Sequence, residues 1–299
     1  MLSVVVDDTR DPAWNLAVDE ALARAGVPSP MTLGPGWAGP SGTRLLTARP
    51  ESGGGPRLRL VTQSDGMVPR DVVRSAVEAP VLRVWQNSPS VVVGRFQDLD
   101  RAVDMAACAR DGVRVVRRAT GGGAVFTGPG CVLFTLVRRL PATSVRADLD
   151  TLVATAVESL GLPANLTRPS GPGRPAVVLR DGTVRTARLG TRRAMLTHVA
   201  VRVTEECALG DRYIPHDCGA QTARGGSLAG HGIDVTPDAV RSAVLTAAVE
   251  AYGNACVRRP NAIEQACRDH LFAVRYGDFS WHLTGTPVRR GVCWEQICR

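Results

Sequence analysis

The segment 113-VRVVRRATGGGAVFTGPGCVLFTLVRR-139 constrains this chain more than any other. Two β-like runs are interrupted by three consecutive glycines, and a second turn follows at Gly128-Pro129-Gly130. Three residues without Cβ atoms weaken any regular element, so the chain must turn here. The bare backbone also lets a ligand come close. Its N–H groups can then hold a carboxylate, a phosphate or a thioester oxygen, with Arg117 or Arg118 at hand for an anion. A glycine-rich β-turn with no ligand has the same composition. The segment is neither a Walker loop nor a dinucleotide fingerprint, because the downstream Lys-Ser/Thr and the strand–helix context are missing.

The flanking sequence predicts a mixture of helices and strands. The run 11-DPAWNLAVDEALARAG-26 reads as a helix with Asp11 as cap, Pro12 in the first turn and Gly26 at its end. Asp19 and Glu20 are expected on its solvent side, or capping a neighbouring loop. The stretch 27–56 is rich in Pro, Gly and Ser, and residues 27–79 are expected to form a mobile surface insertion that contributes little core. Strand, turn and strand are predicted over 81–96, an Ala-rich helix over 99–112, and a helix over 149–162. A hairpin is predicted over 176–187, where Asp181-Gly182 is a two-residue turn signal, and a strand over 195–203. Thr236 and Gly253 bracket a further helix, and a shorter one starts near Asn261. Strands and helices do not alternate strictly, which favours an α+β fold. The expectation is one catalytic domain over 1–299 with a helical C-terminal part from about 236.

The chain is 299 residues long and 44% hydrophobic, enough for a sizeable core. Its net charge is +8, and all 36 of its basic residues other than histidine are arginine. A GC-rich genome can produce this bias. So can a chain that handles activated acyl groups and avoids nucleophilic ε-amines of its own. The charge suits an acidic partner such as a carrier protein, a lipoyl-type domain or a nucleotide. Nucleic acid is not expected, since no helix-turn-helix, zinc-finger or aromatic stacking motif accompanies the arginines. No apolar run reaches the ~18 residues of a membrane span, and the N-terminus lacks the layout of a signal peptide, so a cytoplasmic protein is expected. The eight cysteines form no C-x-x-C pair and no histidine pair lies at ligand spacing, so no metal site is expected. Their even number invites a disulfide reading, but without a secretory signal reduced thiols are expected.

One cysteine stands out. In 214-IPHDCGAQTARGGSLAG-230, Cys218 sits among small and polar residues, two positions after His216. It is either a nucleophile or a small residue in a turn.

The segment RRATGGGAVFTGPG resembles the signature loop of the lipoate–protein ligase and octanoyltransferase superfamily, and WNLAVDEAL and PSVVVGRFQ are similar to that family's neighbouring pieces. The resemblance covers about residues 11–26 and 80–253. It implies the biotin/lipoate ligase catalytic fold, with mixed sheets flanked by helices and an acyl chain lying near the glycine loop. On this resemblance Arg117, Arg118, Thr120, Gly121, Gly122, Gly123, Ala124, Val125, Thr127 and Gly128 are the substrate-binding positions of the loop. The superfamily has two chemistries. Ligases make an acyl-adenylate from ATP, with magnesium, and use a lysine. Octanoyltransferases take an acyl group from acyl carrier protein onto a cysteine and pass it to a lysine of a lipoyl domain, with no cofactor. The order 185-RTARLG-190, His198, 217-DCG-219, 226-GSL-228 is similar to the transferase pattern. It implies catalytic roles for Cys218, Arg185, His198 and His216, and binding roles for Leu189, Gly190 and Gly219. Arg185 stands where the transferases have lysine; aligned on the ligase pattern, Gly182 does. Arginine cannot serve as a base, although its charge can favour a thiolate. Val199 replaces the family's glycine after the histidine, so a reshaped acceptor side is expected. Four readings follow: a cysteine acyltransferase acting on a lipoyl-domain lysine, a divergent enzyme acylating a small amine, an ATP-dependent ligase, and a non-catalytic acyl-binding relative.

Overall fold

The computed structural model describes residues 1–6, 9–25, 44–51, 54–61, 79–140, 147–163, 183–215 and 226–286. Its strands are β1 (Leu2–Val6), β2 (Arg44–Glu51), β3 (Gly54–Val61), β4 (Val81–Trp85), β5 (Ser90–Val93), β6 (Arg114–Arg117), β7 (Val125–Thr127), β8 (Cys131–Arg139), β9 (Val184–Gly190), β10 (Ala194–Arg202) and β11 (Ala255–Arg258). The helices are α1 (Pro12–Arg24), α2 (Leu99–Ala102), α3 (Met105–Arg110), α4 (Leu149–Ser159), α5 (Glu205–Leu209), α6 (Pro237–Tyr252), α7 (Ala262–Leu271) and α8 (Phe279–Thr284). An eight-stranded sheet has the order β3-β2-β11-β1-β4-β8-β10-β9, and a three-stranded sheet the order β6-β5-β7. In the large sheet β1 pairs in parallel with β4 and β11, and the other neighbours are antiparallel. The fold is α+β with mixed sheets flanked by helices.

Strand alternation sorts the core. Val132, Phe134 and Leu136 of β8 join Val199 and Val201 of β10 in a cluster with α4 and α6. Leu133 and Ala200 face the other way, towards Ala13, Leu16 and Ala17 of α1. Helix α1 starts where Asp11 accepts the Trp14 N–H at 2.9 Å. It is then buried on nearly every side, between the large sheet and α7 with the elements that follow it, and its alanines permit that close approach. Asp19 and Glu20 are therefore inside the protein, 1% and 2% exposed, and not on a solvent face. Glu20 accepts bonds from Arg24, Arg275 and the Tyr276 hydroxyl at 2.5–2.6 Å.

Within the expected insertion, Arg44–Glu51 and Gly54–Val61 are strands: β2 pairs with β11 and with β3, extending the large sheet at its edge. The alternation in 57-RLRLV-61 carried that signal beneath the Pro and Gly content. One expectation needs correction. The thiols are not all reduced, since Cys131 at the start of β8 is disulfide-bonded to Cys207 of α5. Gly130 makes room for that approach: a Cβ there would lie 2.0 Å from Thr204 Oγ1 and 3.3 Å from Cys207 Sγ. The predicted helix over 99–112 is two short ones, with Asp104 capping the second. Of the predicted hairpin, 176–182 lie outside the described residues, and Val184–Gly190 pairs with β10. Among the described residues no helix is long and apolar enough to cross a membrane.

The C-terminal helices are anchored through one histidine. The Arg117 N–H donates to His282 Nδ1 at 3.0 Å, so Nε2 carries the proton and donates to the Tyr276 carbonyl at 2.8 Å. Burial, with the Arg114 and Arg117 charges, holds the His282 pKa below its usual 6.5 against the pull of the Tyr276 carbonyl and Asp278. The unfolded chain therefore binds more protons below pH 6.5, and His282 contributes stability that is full above that pH and lost as pH falls, by at most about 1.4 kcal/mol per pH unit. Urea titrations from pH 7.5 to 5.5 should show this loss, and His282→Asn should be less stable at pH 7.5 but lose less on acidification.

Candidate active site

A cavity of about 230 Å³ lies between the small sheet and the α1 side of the large sheet. Its apolar walls come from Leu16 of α1, Trp85 of β4, Val92 of β5, Val125 of β7 and Leu133 of β8. Its polar lining comes from Arg118, Thr127, Arg185 and His198, with the backbone of Gly122 and Gly123 beside them.

The glycine loop is held by contacts that forbid side chains. Gly122 has φ +96°, and a Cβ on Gly94 would lie 1.9 Å from the Gly122 carbonyl oxygen. Arg118 pins the loop from below. Its guanidinium donates to the carbonyls of Val92 (3.0 Å), Gly121 (2.7 Å) and Gly123 (2.9 Å). Arg118 has no carboxylate partner among the described residues, and its Nε is buried without a bond. Burial, and then the neighbouring Arg185 charge, lower its pKa to about 10, so it remains a cation at neutral pH. The N–H groups of Gly122 and Gly123 meet no acceptor among the described residues.

Across the cavity, the register of β10 places His198 opposite Thr135 of β8 and Ala187 of β9. His198 Nδ1 is 2.9 Å from Asp19 Oδ2, and the imidazole is 15% exposed. Arg83 of β4 donates to the other oxygen of Asp19 at 2.7 Å and to the Asn15 carbonyl at 3.0 Å. Thr135 Oγ1 donates to Asp19 Oδ2 at 2.6 Å and accepts the Trp85 indole N–H at 3.0 Å. Burial alone would raise the Asp19 pKa, but the Arg83 charge, aided by the His198 and Thr135 bonds, brings it below the usual carboxylate value.

The residues singled out in the sequence divide by location. Arg118, Gly122, Gly123, Val125, Thr127, Arg185 and His198 line the cavity. Arg117 lies off it: its guanidinium is spent on the carbonyls of Gly94, Arg95, Gln97, His282 and Leu283, binding α8 to the small sheet. Adjacent residues of a strand end point to opposite faces, so only one of the two arginines can face a ligand. Thr120 is buried, Gly121 stands against Phe96, and Ala124 packs in the cluster with Val91 and Val93. Gly128 abuts the Phe126 ring and Pro89, Leu189 packs beside Val18 and Leu22, and Gly190 meets Met195. Val199 is among the residues that line the cavity and is also buried in the core cluster of α4 and α6. Cys218, His216 and Gly219 lie outside the described residues. Among the described residues no group of His, Cys, Asp and Glu could hold a metal ion. Sequence reading missed the apolar wall and Asp19. The spacing of Leu133 and Thr135 on β8, two apart, is the signal that could have found the wall.

Gly94→Ala should disorder the glycine loop without unfolding the sheets, because its new Cβ meets backbone that cannot swing aside. A destabilisation of about 1–3 kcal/mol is expected by denaturant titration, with altered amide resonances at 118–125.

The lipoyl protein ligase A/B catalytic domain family matches residues 71–184. Lipoate-protein ligase A subunit 1 of Thermoplasma acidophilum is 33% identical over 90 residues, which is 29% of this chain and only 34% of that protein's length. A lipoate-protein ligase A bound with ATP superimposes with a TM-score of 0.65 at 19% identity, covering 95% of this chain and 99% of the other. A bi-partite lipoate protein ligase from Thermoplasma acidophilum, studied with its E2 lipoyl domain, gives 0.63 at 20% identity over 97% and 98%. P. falciparum LipL1 in complex with lipoate gives 0.61 at 15% identity over 96% and 75%. Residues 71–184 thus match the lipoyl protein ligase A/B catalytic domain family, and the chain shares its two-sheet fold with the solved lipoate-protein ligases.

Proposed function

We propose that this chain is an acyltransferase that moves a medium-length acyl group of the octanoyl or lipoyl kind from a carrier-protein thioester to an amine. The observation that carries the reading is the cavity itself. Its walls are apolar, a buried cation without a carboxylate partner among the described residues stands at its glycine loop, and an imidazole also lines it. Such a site suits a hydrocarbon chain ending in a carbonyl or carboxylate. On this reading the N–H groups of Gly122 and Gly123, which meet no acceptor among the described residues, hold the carbonyl oxygen as it becomes an oxyanion, and one such donor is worth about 3 kcal/mol. Relatives with this fold bind lipoate or ATP, and one works with an E2 lipoyl domain. A lipoyl-domain lysine is therefore the acceptor we favour over a small amine.

Cys218 is the proposed acyl carrier, with Arg185 favouring its thiolate and His216 or His198 handling protons. The donor on this reading is acyl carrier protein, with no nucleotide or metal. The absence of lysine from the whole sequence weighs against the ATP-dependent route, in which the family uses that residue.

Intact-mass measurement after mixing with an octanoyl thioester of acyl carrier protein tests the proposal. The expected result is a covalent octanoyl adduct that is lost in Cys218→Ala and chased onto a lipoyl domain. Transfer from free acid only when ATP and magnesium are present would replace it with the ligase reading. Acyl binding with no turnover under either condition would leave a binding protein.

A further inference from the structure

Resting on the acyl-transfer reading, we propose that Asp19 is a positioning residue: it fixes the tautomer of His198 so that Nε2 presents a lone pair to the cavity and takes the proton of the attacking amine. The hydrogen-bond accounting around Asp19 leads to this assignment. Thr135 has one hydroxyl proton. Its Oγ1 lies 2.6 Å from Asp19 Oδ2, an acceptor only, so that proton goes to Asp19. Thr135 Oγ1 can then only accept, from the Trp85 indole N–H at 3.0 Å and from the ring of His198 at 3.2 Å. His198 Nδ1 thus faces two acceptors, Asp19 Oδ2 at 2.9 Å and Thr135 Oγ1, and must carry the proton. In the neutral ring Nε2 is then unprotonated, and it meets no donor among the described residues.

Several groups hold this arrangement in place. Asp19 is 1% exposed, and Arg83, itself fully buried, binds its other oxygen and the Asn15 side chain of the same helix. Arg83 also keeps the carboxylate ionised. The charged groups around His198 are Asp19 from α1, Arg83 from β4 behind it, and Arg185 and Arg118 lining the same cavity. Only the first of these stabilises an imidazolium. In the step proposed, the amine nitrogen attacks the acyl carbonyl and its N–H proton passes to His198 Nε2. The carbon–sulfur bond of the thioester breaks, and the departing thiolate takes that proton back. The products are an amide and a thiol, with no other reactant. Asp19 never touches the substrate, so its effect is exerted through the ring.

Nitrogen-15 NMR of the His198 imidazole, read in the full chain at pH 8, tests the positioning independently of activity. The wild type should show Nδ1 protonated and Nε2 bare. Asp19→Asn can turn its amide N–H towards Nδ1, so it should shift the ring to the Nε2–H form. The same variant should lower kcat for octanoyl transfer about 100-fold or more with KM within about threefold. A merely structural role would change stability without switching the tautomer. If Asp19→Asn does not fold, Asp19→Glu should keep the wild-type tautomer, and its loss there would count against the proposal. An Nε2–H ring in the wild type overturns it, as does a tautomer switch with kcat unchanged. A wild type that transfers no acyl group, but whose tautomer still switches in Asp19→Asn, sinks the acyl-transfer reading and leaves the positioning of His198 supported.

Discussion

A carboxylate buried in the middle of this protein sets the terms for what surrounds it. Removing an ion from water costs several kcal/mol even after relaxation, and only good geometry with enough donors offsets it. Asp19 meets donors from three strands, Arg83 of β4, Thr135 of β8 and His198 of β10. Those strands are adjacent in the large sheet. Sliding or rotating α1 by one residue would strand the charge, so the helix has one register against the sheet. Leu16 is then fixed in the cavity wall by the same constraint. Glu20, the next residue, does the equivalent on the other side of the helix by binding Arg275 and Tyr276. The pair Asp19-Glu20 thus locks α1 between the sheet and the C-terminal elements.

Arginine pairs work the same way around the glycine loop. Arg117 and Arg118 are consecutive, and the end of β6 sends them to opposite sides. Arg117 spends its guanidinium on five carbonyls and ties α8 to the small sheet. Arg118 binds three carbonyls of the loop and of β5 from the cavity side. A loop of three glycines has high conformational freedom when unfolded, and the Arg118 bonds to the Gly121 and Gly123 carbonyls restrict it. Arg118 also supplies the cavity with its charge.

Much of this fold was legible in the sequence. The helix starts at Asp11, Thr236 and Asn261, the strands on either side of the tri-glycine and the α+β class all follow from local chemistry that the structure keeps. What was not legible depends on long-range burial. Two acids on a helix read as a solvent face, and only the Ala and Leu residues on its other sides hinted that α1 is buried all round. The edge strands β2 and β3 were hidden by their Pro and Gly content. The four residues of β11 were too short to announce themselves, although β11 joins that edge to β1. The Cys131–Cys207 bond spans 76 residues, and nothing local encodes it. Of the site, the glycine loop stood out because its chemistry is local, whereas Arg185 and His198 were reached only through the resemblance to the transferase pattern. The apolar wall did not stand out, because Trp85, Leu133 and Val92 look like any other core residue until two sheets are brought face to face.

The arrangement also bears on how a chain without lysine could carry out the acyl transfer proposed above. Arginine at position 185 can lend charge but cannot exchange a proton near neutral pH. Of the described groups lining the cavity, the imidazole of His198 is the one able both to take up and to return a proton there. A free imidazole would divide its time between two tautomers, only one of which presents a lone pair inward. Burying Asp19 behind the ring removes that ambiguity, and Arg83 behind Asp19 keeps the acid from taking the proton itself. The line Arg83–Asp19–His198 therefore carries a fixed charge from the centre of the large sheet to the cavity surface. A charge there favours imidazolium as it forms, so the proton-handling power absent at position 185 can be supplied from the opposite wall.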